Sequence, residues 1–177
     1  HFSSNVDDLV AAADWLRAQL AGIGFEADIR ETAGHPVVIA HHPGPTGTGP
    51  HLLFYGHYDV QPPEPLELWT SPPFEPVLTQ GPNGPRVVAR GAVDDKGQVW
   101  IQIQALTQLM AETGKLPINV RVLLEGEEEV GGEFIEEYVA SKPAHLKADA
   151  ALVCDTEMFA AGLPTIKPMG VAPPGDW

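Results

Sequence analysis

The sequence is poor in cysteine, in basic residues and in long apolar runs, and each shortage excludes a class of protein. Its 177 residues include one cysteine, Cys154, which excludes an intrachain disulfide framework and leaves no zinc-thiolate signature. Only 10 lysines and arginines stand against 24 acidic residues, for a net charge of −14. This charge argues against nucleic acids and anionic membrane surfaces as partners. No apolar stretch approaches the roughly 20 residues of a membrane span and no signal-peptide pattern is present, so we expect a cytoplasmic protein.

The remaining composition fits a folded domain. Hydrophobic residues make up 44% of the chain, which is enough for a core, and the length suits one domain or a domain with an appendage. The excess of acidic residues has two interpretations. It is either a solvated surface that aids solubility or a set of carboxylates that converge on cations.

Alternating helix and strand patterns predict an α/β fold with a mixed, largely parallel central sheet. Helical periodicity predicts helices over residues 6–20, 98–112 and 134–140. Apolar or alternating runs predict strands over residues 25–31, 36–41, 51–58, 118–124 and 148–154. Residues 42–50 and the proline-rich residues 61–76 are predicted to be loops, and the tail from residue 162 onward has no periodicity.

Acidic clusters follow the ends of several of these runs. The clusters are His57 with Asp59, Asp94 with Asp95, the glutamates at 127–129, and Asp155. Because ligand sites in α/β sheets form at the carboxyl ends of strands, we expect these side chains to converge. Several carboxylates in one cleft repel each other unless cations neutralise them. One imidazole among carboxylates suits zinc, manganese or cobalt in a reactive site better than a structural zinc site.

Each cluster alone also has an ordinary interpretation. His57 could be a strand-end histidine with satisfied hydrogen bonds, and Asp94 with Asp95 could be a turn that caps the next helix. The three glutamates could form a solvated helix start, and Asp155 alone indicates nothing. Lys96 and Arg90 could be surface charges. Only the joint occurrence of the clusters at successive strand ends favours a site. The other histidines have no such context and are interpreted as non-ligands.

Three segments and a fourth short motif resemble the M20 metallopeptidase family, and within it the carnosinase-like dipeptidase branch. The segments are 55–62 (Tyr-Gly-His-Tyr-Asp-Val-Gln-Pro), 90–97 (Arg-Gly-Ala-Val-Asp-Asp-Lys-Gly), 124–129 (Leu-Glu-Gly-Glu-Glu-Glu) and 153–156 (Val-Cys-Asp-Thr). Their order and spacing match the family, and the resemblance covers residues 5–167. It implies a three-layer, zinc-exopeptidase-like α/β sandwich.

The resemblance also implies a role for each matched residue. The implied ligands of two divalent ions, most often zinc and otherwise manganese or cobalt, are His57, Asp94, Glu129 and Asp155. Asp94 would bridge both ions, and the Asp94–Asp95 peptide is expected to be cis. Asp59 would orient His57, and Glu128 would be the general base that deprotonates the attacking water.

By the same resemblance, residues 1–167 are part of a catalytic domain and residues 168–177 form an irregular tail. The lid or dimerisation domain of the family is missing, so a homodimer is expected only of a longer enzyme. No histidine follows Asp155, and the second metal site therefore lacks its own histidine.

The expected function is metal-dependent hydrolysis of the amide bond in dipeptides or small peptides. An N-acyl amino acid deacylase or a carboxypeptidase of the same family is the nearest alternative, with an N-acyl amino acid as substrate. A third hypothesis is a catalytically silent, metal-binding α/β domain.

Overall fold

The computed structural model describes residues 6–156, 158–160, 163–164 and 167–169. Within these residues the helices are α1 (Val6–Gly22), α2 (Lys96–Thr113), α3 (Glu133–Ser141) and α4 (Pro143–Leu146). The strands are β1 (Glu26–Arg30), β2 (Val37–His42), β3 (His51–His57), β4 (Val77–Gly81), β5 (Gly84–Val88), β6 (Asn119–Glu125), β7 (Ala150–Val153), β8 (Met158–Ala160), β9 (Leu163–Pro164) and β10 (Lys167–Met169).

Six strands form one mixed sheet in the order β1-β2-β6-β3-β7-β10. The central strands β6, β3 and β7 run parallel to one another. The outer pairings, β1 with β2, β2 with β6 and β7 with β10, are antiparallel. β4 and β5 form a separate hairpin, and β8 pairs with β9. The mixed α/β sheet with parallel strands at its centre is the predicted fold class.

Helices cover both faces of the sheet, so the domain has three layers. The larger core joins α1 and α2 to one face, where Leu16 and Ile103 belong to the same cluster as Val122. The smaller core on the other face packs Leu146 of α4 with Leu123, and Ile135 of α3 contacts it. Burying apolar area on both faces explains why the central strands are nearly continuous apolar runs.

The sequence patterns located most elements correctly, with differences at their ends. α2 begins at Lys96 rather than at residue 98, and it ends as expected at Gly114, whose φ is 71° and whose N–H donates to the Met110 carbonyl. β2 continues to His42, where the sequence predicts a loop. Residues 168 and 169 belong to β10, where an irregular tail was expected, while residues 170–177 lie outside the described part.

The three parallel strands fix the position of the polar clusters. β3 ends at His57, β6 at Glu125 and β7 at Val153, so the segments that follow all leave from the same edge of the sheet. The turn that carries Asp94 and Asp95 leads into α2, which packs against β3. Within the described part of the chain, no helix has the length and apolar character that a membrane crossing requires.

Candidate metal centre

His57 is fixed by the close packing of the end of β3 against the start of α2. A Cβ atom on the preceding residue, Gly56, would lie 2.6 Å from Asp95 Oδ2 and 2.7 Å from Val99 Cγ2. Only glycine therefore allows this approach. The His57 side chain is fully buried, and its backbone N–H donates to Asp95 Oδ2 over 3.1 Å. The backbone at the centre of the site is thus held by a buried carboxylate.

The imidazole of His57 is surrounded by carboxylates from four segments. Its Nδ1 lies 3.1 Å from Asp59 Oδ1, and its Nε2 lies 3.0 Å from Asp94 Oδ1. The same Nε2 is 3.6 Å from Asp155 Oδ2 and 4.0 Å from Glu128 Oε2. The predicted convergence at the carboxyl ends of the strands therefore occurs.

Two groups of side chains have the spacing to hold a cation, and His57 belongs to both. The first group is His57 with Glu128 and Asp155, and the second is His57 with Asp94 and Glu129. In each group the potential ligand atoms all lie within 4.8 Å of one another. Among the described residues, neither group contains another histidine.

Asp94 and Asp95 are neighbours in sequence but have opposite environments. The peptide bond between them is cis, as expected. The Asp94 side chain is 51% exposed and points at the His57 ring, whereas Asp95 is fully buried. The next residue, Lys96, donates from Nζ to the Tyr58 carbonyl over 3.1 Å. Lys96 is thus a partly buried member of the site rather than a fully exposed surface charge, and burial lowers its pKa despite the nearby carboxylates.

Burial and the crowding of carboxylates together shift the pKa values of the site. Burial disfavours the charged imidazolium, but the hydrogen bond from His57 to Asp59, together with the surrounding negative charge, raises the pKa of His57 to about 9. Burial raises the pKa of Asp95 to about 7, although the His57 N–H opposes the shift. Burial also raises the pKa of Glu128, an effect that His57 opposes and Asp155 reinforces.

These properties fit a divalent cation. The donors are one imidazole nitrogen and several carboxylate oxygens, a set that suits zinc, manganese or cobalt. Burial is the main reason that the pKa values of Asp95 and Glu128 are raised, and the negative charge of Asp155 adds to both shifts, so these carboxylates repel one another. A bound cation would offset that repulsion, and His57 is already oriented for it by Asp59.

The structure brings together all the predicted site residues, which are His57, Asp59, Asp94, Glu128, Glu129 and Asp155. The sequence did not predict three features beside them. These are the buried acceptor Asp95, the partly buried Lys96, and Gln61, which contacts Glu129. All three residues lie inside the segments that resemble the family, so their position there was the only signal in the sequence. Their residue types do not set them apart from the other polar residues of those segments.

Comparison with known proteins agrees with this picture. Residues 53–168 match the model of a family described as peptidase family M20/M25/M40. The chain is 33% identical over 156 residues to a cysteinylglycine-S-conjugate dipeptidase from Corynebacterium striatum, covering 88% of this chain and 33% of that protein. It is 36% identical over 104 residues to a beta-Ala-His dipeptidase from Rattus norvegicus, covering 59% of this chain and 20% of the relative. The chain spans a third or less of the length of these relatives.

Solved structures give the same result for the fold. An M20 family metallo-carboxypeptidase from Sulfolobus solfataricus superposes with a TM-score of 0.74 at 34% identity, covering 85% of this chain and 33% of that one. Human carnosine dipeptidase 1 also gives a TM-score of 0.74, at 27% identity and the same coverage of both chains. The match spans well over half of the chain and includes every acidic cluster of the site, so the chain belongs to peptidase family M20/M25/M40.

Proposed function

We propose that this chain carries the metal-binding core of a peptidase that hydrolyses the amide bond of dipeptides or small peptides with two divalent ions. The observation that carries the proposal is the surrounding of His57 Nε2 by the carboxylates of Asp94, Asp155 and Glu128, all within 4.0 Å. The names of the relatives support a dipeptide substrate. Because the chain spans a third or less of the length of those relatives, the activity is proposed for the longer protein that such a segment belongs to.

Within this proposal, four residues would hold the ions. His57 and Asp155 would bind the first ion, Glu129 would bind the second, and Asp94 would contribute to both. Asp94 has the position for this role, because its Oδ1 is 3.0 Å from His57 Nε2 and it groups with Glu129. The second ion has fewer protein ligands in this chain, since no histidine follows Asp155.

We assign Glu128 the role of general base rather than that of a ligand. Its Oε2 is the most distant of the carboxylates around His57 Nε2, at 4.0 Å, and its side chain is 40% exposed. It can therefore reach a water molecule and accept its proton as that water attacks the amide carbonyl. The same carboxyl can then return the proton to the departing amine nitrogen as the C–N bond breaks. When bound, divalent ions at such a site polarise a carbonyl oxygen and lower the pKa of water.

Hydrolysis of an N-acyl amino acid or of a carboxy-terminal residue is the second candidate. It is favoured by the 34% identity to the Sulfolobus metallo-carboxypeptidase and by the 34% identity to a succinyl-diaminopimelate desuccinylase from Alteromonas mediterranea. Both reactions break an amide bond and need the same ions and base. A cytoplasmic location and a homodimer of the longer protein stay predictions.

Two substitutions test the proposal at different points. His57→Ala removes the nitrogen shared by both groups, so we expect bound metal to fall, as measured by elemental analysis after equilibration with zinc. Glu128→Gln keeps the side-chain volume and removes the base. We expect metal content to stay near the wild-type value and dipeptide hydrolysis by the longer protein to fall by about 10²–10⁴-fold.

Glu127→Gln is the matched control, because Glu127 belongs to neither cation group. Its hydrolysis rate should equal that of the wild type. Wild-type turnover by Glu128→Gln would remove Glu128 from the role of base, and unaltered metal content in His57→Ala would remove His57 from the role of ligand.

A further inference from the structure

The segments that leave β3 and β6 are joined to each other at Glu129. The Glu129 backbone N–H donates to Asp59 Oδ2 over 3.0 Å. The Gln61 backbone N–H donates to Glu129 Oε1 over 3.2 Å, and the Gln61 side-chain amide donates to Glu129 Oε2 over 2.5 Å. Glu129, a member of the second cation group, is therefore held at its backbone nitrogen and at both carboxylate oxygens by the segment that also carries His57.

Gln61 contacts both oxygens of the Glu129 carboxylate. Such a two-point contact fixes the rotation of the carboxylate plane as well as its position. Each carboxylate oxygen can accept more than one interaction, so these hydrogen bonds leave capacity for a cation. The orientation of the Glu129 carboxylate is thus set by contacts within the protein.

Gln61 is itself held in place by the residues that follow it. Arg90 donates from Nη2 to the Pro62 carbonyl over 2.9 Å, and Trp69 donates from Nε1 to the Pro63 carbonyl over 2.7 Å. The Arg90 guanidinium lies over the Trp69 ring, 5.3 Å from its centroid. This cation–π contact joins the two donors, so the start of the proline-rich loop has a defined position.

We propose that Gln61 is a positioning residue that orients Glu129 for the second cation, and that Arg90 and Trp69 fix Gln61 for this purpose. The proposal rests on the proposed function, because it assigns Glu129 as a ligand. Gln61 is solvent-exposed, and exposed hydrogen bonds add little to folding stability. Its effect should therefore appear in metal binding and not in the stability of the metal-free fold.

The test compares Gln61→Met with a matched control in the same chain. Methionine keeps the length of the side chain and removes the amide donor. Gln108→Met is the control, because Gln108 donates from Nε2 to Glu112 Oε1 over 2.8 Å on the exposed surface of α2. Both variants lose one exposed glutamine–glutamate hydrogen bond, but only Gln61 contacts a residue of the cation groups.

Metal-free wild type and both variants are titrated with Co²⁺, with calorimetry and visible absorption as the readouts. In Gln61→Met we expect the second binding step to weaken by about tenfold and the absorption of that step to change, because loss of an outer partner of a ligand has effects of this size. The first step and the melting temperature of the metal-free protein should match the wild type. Gln108→Met should match it in every readout.

Two outcomes would overturn the inference, and they differ in what else they affect. If the wild type shows two binding steps and Gln61→Met shows the same two, Gln61 does not position Glu129, while the proposed function stands. If the wild type binds no Co²⁺ near His57, the proposed function fails and this inference fails with it.

Discussion

Asp94 and Asp95 allow a sharp test, because replacing one with alanine should lower the stability of the fold and replacing the other should weaken metal binding. Asp95 is fully buried and accepts the backbone N–H of His57 over 3.1 Å. Asp95→Ala leaves that buried N–H without its acceptor, which costs about 1–3 kcal/mol. For a chain of this size the loss corresponds to a fall in melting temperature of roughly 2–12 °C.

Asp94→Ala should leave the stability of the metal-free protein nearly unchanged. The Asp94 side chain is 51% exposed, and an exposed charge contact contributes about 0–1 kcal/mol. It is, however, one of three members of the second cation group. We expect binding of the second ion to weaken by at least about tenfold, which is about 1.4 kcal/mol or more.

The assay is urea unfolding of metal-free protein at pH 4, followed by zinc calorimetry at pH 8. The lower pH is chosen because burial raises the pKa of Asp95 from 3.8 to about 7. Above pH 4 folding must also protonate this carboxyl, and Asp95→Ala would remove that cost and mask the loss of the hydrogen bond. Asp14→Ala controls for removal of one negative charge, since that side chain is 57% exposed on α1. Equal destabilisation by the Asp94 and Asp95 variants, or wild-type zinc binding by Asp94→Ala, would refute the reasoning.

Three further predictions concern the same site. The pKa of His57 is raised to about 9, and a histidine must lose its proton to bind metal, so zinc binding at pH 7.5 should release protons and strengthen as pH rises toward 9. Calorimetry in two buffers of different ionisation enthalpy measures the proton release. Its absence would contradict ligation by His57. Zinc at 100 times its dissociation constant should stabilise the fold by about 2.7 kcal/mol, which thermal unfolding detects, and an unchanged midpoint would argue against a native-state site. Gly56→Ala should lower the free energy of unfolding by about 1–3 kcal/mol, because its Cβ would lie 2.6 Å from Asp95 Oδ2; a neutral result in urea unfolding would show that the packing relaxes.

The elements that were predicted well are those whose own residues determine them. β3 is an apolar run that ends in Gly56 and His57, and the end of such a run sets the position of the first polar side chain. The end of α2 followed directly from Gly114 in the left-handed conformation. The convergence of the acidic clusters followed from the rule that parallel strands present their carboxyl ends at one edge.

The features that were not predicted depend on partners far away in sequence. Nothing in two adjacent aspartates indicates that Asp95 is buried, because its acceptor role comes from the N–H of His57. Gln61 contacts Glu129 only because β3 and β6 are neighbours in the sheet, so the segments that follow these two strands lie side by side. β10 is too short to show a pattern of its own, and its pairing is with the edge of β7.

The order of strands in the sheet has a consequence for how the molecule opens. The side chains of both cation groups come from the turn before α2 and from segments that leave β3, β6 and β7, which occupy the inner positions of the sheet. Among the strands that the structure describes, β1 and β10 are the outermost, and edge elements open at lower free energy than central ones. Transient fraying at either edge therefore leaves the cation groups assembled. Amide hydrogens of β1 and β10 should exchange with solvent through local opening whether or not metal is present. Those of β3 and β6 should be protected up to the global free energy of unfolding. Only the amide hydrogens of β3 and β6 should gain protection when an ion binds.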